Sequence, residues 1–94
     1  MAIKVKISRK KAGHFAITVE GRLDSETAPQ CEAEIKHLLT SATKRLTFDL
    51  KRLDYISSMG LRVIIGAMKA IARQKGRVVV RNAQPPIAKV LDIA

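Results

Sequence analysis

Apolar residues change their spacing repeatedly along this chain, and that alternation constrains the fold more than any other feature. Ile3, Val5 and Ile7 recur at every second residue among Lys4, Lys6 and Ser8, the period of a half-buried strand. Phe15, Ile17 and Val19 repeat that period, and Gly21 breaks it in "EGRLD". The polar stretch "SRKKAGH" between the two predicts a hairpin connection. The spacing then lengthens, and Ala28, Cys31, Ile35 and Leu38 fall on one face of a helix. "RLTFDL" returns to period two through Leu46, Phe48 and Leu50, and "KRLDYIS" reads as a polar loop. Leu61, Ile64, Ile65, Met68 and Ile71 trace a second helical stripe. "RVVV" predicts a short buried strand, and "PPIAKVLDIA" a last helix carrying Ile87, Val90 and Leu91.

End signals agree with this division. Asp24, Ser25 and Thr27 are capping residue types, and Pro29 suits a first helical turn. Glu32 and Lys36 are spaced for an i,i+4 pair on the outside of the first helix. Lys75 and Gly76 close the second helix, with Gly76 predicted in the left-handed cap position. The predicted order is β-β-α-β-α-β-α. Strand-helix-strand units favour parallel neighbours with right-handed crossovers, and the opening hairpin adds one antiparallel edge. The expectation is a single α/β domain over residues 1–94, with a four-stranded mixed sheet and helices packed on it.

With 47% hydrophobic and only 3% aromatic residues, the core must be aliphatic. No apolar run is long enough to cross a bilayer, and no secretory signal precedes the first strand. Cys31 is the single cysteine and lies on an apolar face, so packing is its expected role and a cytoplasmic setting follows. Eighteen Lys and Arg against eight Asp and Glu give a net charge of +10, which favours anionic partners by long-range attraction. The basic residues are scattered, the strands lack aromatic stacking residues, and no helix-turn-helix signal occurs, so specific nucleic-acid binding is not expected. Enzyme chemistry finds little support either. There is no Gly-rich phosphate loop, and His14, His37 and Cys31 are too far apart for zinc-ligand spacing. "ISSMG" lacks the preceding glycine of a nucleophile elbow. No catalytic residue, metal or cofactor is expected.

Two adjacent serines, Ser57 and Ser58, stand where the second helical pattern begins. The first N–H groups of a helix lack internal partners and its dipole is positive there. A serine hydroxyl caps such an end, contributing about 1 kcal/mol. The same end tolerates a phosphate, which adds roughly −1.5 to −2 charges and turns a neutral surface anionic. A partner docked there would lose its fit.

"LTFDL" followed by "DYISSMGLRVIIGAMKAI" closely resembles the signature of STAS domains, the anti-sigma factor antagonist family. "EGRLDSETAP" and "GRVVVRNAQPPIAKVLDIA" resemble that family's other hallmark and its final strand and helix, so the resemblance covers nearly the whole chain. In that family the phosphorylated serine stands two places before a Gly-Leu pair; anchoring on Gly60 and Leu61 puts it at Ser58, with Ser57 as the alternative. Many antagonists carry aspartate just before that serine, where this chain has Ser57. Asp24 and Asp49 match family acidic positions, and Met59, Gly60 and Arg62 are expected to be exposed and to help form a docking surface. At Gly60, the missing side chain would let a partner backbone approach closely. The implied mechanism is a binding module that captures an anti-sigma factor serine kinase, releases a sigma factor, is switched off by phosphorylation and is reset by a serine phosphatase. The other reading is a non-switching STAS scaffold or transport-associated subunit, with a lipid-transport or stress-complex partner.

Overall fold

Two residues, Ala12 and Gly13, suffice for the first turn. Gly13 takes φ 76°, the left-handed region that glycine enters without strain. Its carbonyl accepts from Lys44 N–H at 2.7 Å and from Arg45 N–H at 3.0 Å, tying the turn to the next strand. The computed structural model describes residues 3–93. Antiparallel strands β1 (Ile3–Lys11) and β2 (His14–Leu23) are followed by α1 (Ala28–Ile35), a 3-10 turn (Lys36–Leu38) and β3 (Arg45–Asp49). Then come β4 (Leu53–Ile56), α2 (Ser58–Arg73), β5 (Arg77–Arg81) and α3 (Pro85–Ile93). The expected last helix thus forms from Pro85, while its final residue, Ala94, lies outside the described residues.

The sheet runs β1-β2-β3-β5, with β4 paired to β2 beyond the end of β3. All pairs except β1–β2 are parallel. The mixed sheet and three helices follow the sequence reading, but the sheet has five strands rather than four. β4 lies inside "KRLDYIS", expected to be a loop. Its burial runs buried, exposed, exposed, buried, so period two is absent. The cause is a register shift in its pairing with β2 between Gly21 and Arg22. The hairpin strands are likewise longer than their apolar pattern. Ser8 to Lys11 are exposed throughout, so they pair as strand while looking like loop. β5 is a sheet edge, and Val78 to Val80 are only half buried rather than fully so.

The core lies on one side of the sheet. Ile17, Val19, Leu46 and Phe48 are buried with Cys31 and Ile35 of α1, Ile64 and Ile71 of α2, and Ile87 of α3. Burial pushes the Cys31 thiol up to about 11, with Glu34 and Glu32 adding to the shift, so it is a packing residue and a poor nucleophile. The far end of α2 corrects a detail. Lys75, not Gly76, takes the left-handed position with φ 62°. Lys75 N–H donates to Ala72 O and Gly76 N–H to Ile71 O, both at 2.9 Å, the bonds of a Schellman cap. Gly76 is required for space instead: a Cβ there would stand 2.6 Å from Ile71 Cγ2 and 3.1 Å from Thr43 O.

Candidate functional site

The start of α2 is fastened to the end of β2. Ser57 N–H donates to Leu23 O at 2.9 Å, and Leu61 N–H donates to Ser57 O at 2.8 Å. Ser57 has extended dihedrals, φ −95° and ψ 176°, and its Oγ accepts from Gly60 N–H at 3.2 Å. It is the N-cap, and one orphan amide of the first turn is satisfied by it. Ser58 is the first helical residue; its hydroxyl is exposed and makes no hydrogen bond among the described residues. The two serines that look alike in the sequence therefore differ in what is left free. The Ser58 and Met59 amides, in the first turn, have no internal acceptor within the helix.

Gly60 departs from the sequence expectation. It is buried, and a Cβ there would lie 2.5 Å from Leu23 O and 2.7 Å from Leu23 Cγ. The close approach it permits is that of β2 inside the molecule, so it offers no surface to a partner. Met59 is 40% exposed and Arg62 is exposed, as expected. Arg62 stands one turn beyond Ser58, the spacing at which side chains on a helix surface meet. Met59 and Arg62 also line a cleft of about 250 Å³ with Ala28, Pro29 and Glu32 of α1 and Val63 of α2.

Asp24 follows Leu23 and so shares the junction with Ser57. Its Oδ1 accepts from Glu26 N–H at 3.0 Å and Thr27 N–H at 3.1 Å. The Thr27 bond, joined by that from Glu26 and by nearby Arg22, outweighs partial burial and holds the carboxyl below its ordinary value. Asp24 thus steadies the turn before α1, whose N-cap residue is Thr27; the buried Thr27 hydroxyl donates to Arg22 O at 2.7 Å. Asp49 is placed elsewhere. It pairs level with Thr18, whereas Ile56 pairs level with Leu23, five residues along β2. That is on the order of 15 Å of strand. Asp49 Oδ1 accepts from Lys51 N–H at 3.1 Å and Asn82 Nδ2 at 3.3 Å, closing the turn after β3.

Two further residues belong to this end of the molecule and were not singled out by sequence. Tyr55 is 41% exposed, and the Arg22 guanidinium lies 4.2 Å from its ring centroid. Arg22 Nε also stands 3.8 Å from Asp24 Oδ2, so the three side chains form one chain across β2 and β4. A tyrosine exposed between buried Leu53 and Ile56 is the only sequence-level signal, and it depends on recognising β4 as a strand. Among the described residues, no three His, Cys, Asp or Glu gather as metal ligands. No described helix is long and apolar enough to cross a membrane.

The arrangement is a presented hydroxyl on a rigid, capped helix start, flanked by Tyr55, Met59, Arg62 and Asp24. The profile of the STAS domain family matches residues 6–94. BtrV of Bordetella bronchiseptica, named for an anti-sigma factor antagonist role, is 34% identical over 82 residues, covering 87% of this chain and 71% of that protein. The anti-sigma-B factor antagonist of Listeria monocytogenes is 26% identical over 93 residues, covering 99% of this chain and 82% of that one. The unphosphorylated anti-sigma factor antagonist SpoIIAA superposes with a TM-score of 0.84 at 22% identity, over 96% of this chain and 79% of that one. Its phosphorylated form, from Bacillus, gives 0.82 at the same identity, over 96% and 82%. With the profile spanning nearly the whole chain and the same fold in its structural neighbours, this protein belongs to the STAS domain, anti-sigma factor antagonist family.

Proposed function

We propose that this domain is a phosphorylation-switched antagonist of an anti-sigma factor serine kinase. Unphosphorylated, it binds that kinase through Ser58, Met59 and Arg62, with Ser57, Asp24 and Tyr55 shaping the surface, and so frees a sigma factor. The kinase then transfers a phosphoryl group from ATP. The bond from Ser58 Oγ to the γ-phosphorus forms, the bond from that phosphorus to the β,γ-bridging oxygen breaks, and ADP departs. The hydroxyl proton passes to a base of the kinase. A serine phosphatase hydrolyses the ester and resets the switch. The domain is a substrate and binding module acting in the cytoplasm, with no catalytic residue or cofactor of its own.

The division of labour between the two serines supports this reading. Ser57 carries the cap, so Ser58 can be modified without unfastening α2 from β2. A phosphate on Ser58 would meet the free amides and positive dipole of the first turn, with Arg62 one turn on. It would also place an anion in the middle of the partner surface, where an unmatched charge costs binding. The deciding experiment is incubation with the cognate kinase and ATP, followed by mass mapping of the site. Phosphate on Ser58 is the expected result; phosphate only on Ser57, or none, would sink the assignment. Ser58→Asp should weaken kinase binding at least tenfold, about 1.4 kcal/mol, and more than Ser58→Ala does.

A further inference from the structure

The helices α1, α2 and α3 all share one core on one face of the sheet. On the other face, strand alternation sets out Lys4, Lys6 and Lys10 from β1, Arg45 from β3, and Arg77 and Arg81 from β5. All six are exposed. Of the carboxylates there, Glu20 stands 4.0 Å from Lys6 and Asp49 accepts from Asn82 and from the Lys51 amide, while Asp54, exposed, lines a cavity with Lys4 and Glu20 at the Lys4 end of the face, away from Lys10, Arg45 and Arg81. Between the cations the floor is low, made by Ala16, Thr18, Thr47 and Val79. Lys10, His14, Arg45 and Arg81 rim a shallow depression of about 330 Å³ over Ala16 and Thr47. Among the described residues, no carboxylate lies within 4.0 Å of Lys10, Arg45 or Arg81.

We propose that this open sheet face docks on the anionic headgroups of a lipid bilayer, by charge and without insertion. Charge complementarity calls for an anionic occupant, and the shape of the face selects among those. The cations spread over roughly 20 Å along the strands and 15 Å across them. A planar anionic surface can reach them together. Apart from His14 and Phe15, which also line the depression, no large apolar or aromatic side chain stands among them to anchor a protein interface, whose core is depleted in charge. Phe15 packs towards the core, and Tyr55 lies at the far end of β2 beneath Arg22. A single nucleic-acid strand therefore finds the lone His14 imidazole and no run of aromatic faces on which successive bases could stack. The β1–β2 hairpin is flanked by β3 along residues 14–18, so it is no free two-stranded ribbon to enter a major groove. Bilayer headgroups need neither anchor nor stacking, only basic residues near the surface.

The test is co-sedimentation of the whole chain with vesicles of about 40% phosphatidylglycerol in phosphatidylcholine. Binding is expected to the anionic vesicles, to be absent with phosphatidylcholine alone, and to fall steeply as salt rises from about 0.05 to about 0.5 M. The variant Lys10→Glu/Arg45→Glu/Arg81→Glu should lose at least tenfold. A helix-side control with the same charge change, Lys36→Glu/Lys69→Glu/Arg73→Glu, should stay within about threefold. If the reversal variant fails to fold, Lys10→Gln/Arg45→Gln/Arg81→Gln replaces it and should still lose several-fold. Equal losses from the sheet-face and helix-side variants would reduce the effect to net charge and overturn the proposal. So would no binding by the unmodified chain, or a stronger preference for duplex DNA at matched phosphate. A loss on Ser58→Asp equal to that of the sheet-face variant would assign the binding to the start of α2 instead, and would overturn it too.

Discussion

The two ends of α2 are both held by a glycine with no room for a side chain, yet they finish differently. At the C-terminal end the capping bonds are made, and the one buried side-chain atom left without a partner among the described residues, Gln74 Oε1, is closed off from solvent. Ile71 O accepts from Gln74 and Gly76, Ala72 O accepts from Lys75, and Gln74 Nε2 reaches back to Ala70 O at 3.1 Å and across to Leu39 O at 3.3 Å. At the N-terminal end the cap takes one serine and leaves its exposed neighbour free, together with two first-turn amides that have no acceptor within the helix. Glycine therefore marks tight packing at both ends and function at neither. What distinguishes the N-terminal end is exposed, unspent hydrogen-bonding capacity on a rigid support, which a phosphate or a partner can use. A helix end with no such capacity serves as an anchor.

Substitutions can break this comparison. The largest effect belongs to Gly60→Ala, where the new Cβ meets Leu23 backbone as well as side chain. Overpacking of that kind should cost about 2–3 kcal/mol, a fall of roughly 10 °C in Tm by thermal unfolding. An unchanged Tm would mean that the junction of β2 and α2 yields, and that the rigid-support argument fails. Next come the serines. Ser57→Ala should cost about 1 kcal/mol in urea unfolding through loss of the cap, whereas Ser58→Ala should stay within about 0.5 kcal/mol. Equal costs would erase the distinction between capping and presented serine.

Smaller changes sharpen it. Gly66, in the middle of α2, has nothing within 4 Å of where a Cβ would stand. Gly66→Ala should therefore stabilise the fold by about 0.5–1 kcal/mol in the same urea assay, the opposite sign to Gly60→Ala. The smallest effect is electrostatic. Asp24 has its carboxyl held below the ordinary value, so its contribution is complete above the unfolded pKa of about 3.9 and is lost as pH falls through the lower native value. The stability gap between the parent chain and Asp24→Ala should be flat from neutral pH down to about 4 and then close. A gap that widens on acidification would contradict the hydrogen bonds assigned to Thr27 and Glu26.

Much of this was legible from residue spacing, because burial on one face writes its own period. α2 is the clearest case: sixteen residues with Ile64, Ala67 and Ile71 buried, and Arg62, Lys69 and Arg73 exposed. β3 is similar, with Leu46 and Phe48 buried and Arg45 exposed. β4 was not legible, because a strand of four residues next to a register shift carries no alternation. The predicted Glu32–Lys36 pair shows another limit: Lys36 N–H still donates to Glu32 O at the end of α1, so the helical spacing holds, yet among the described residues the two side chains form no ion pair.

At the site, the sequence by itself determined the chemistry available: two hydroxyls at a helix start, an acid after β2, and a motif that resembles one family. Local rules suffice there, since capping depends on a few consecutive residues. Only the tertiary structure decided how those groups divide. Ser57 is spent on Gly60, Gly60 is buried against Leu23, Asp49 is carried to the other part of β2, and Tyr55 is raised beside Arg22. Each of those outcomes depends on which strand lies next to which residue. That is set by packing between segments distant in the chain, and no local spacing records it.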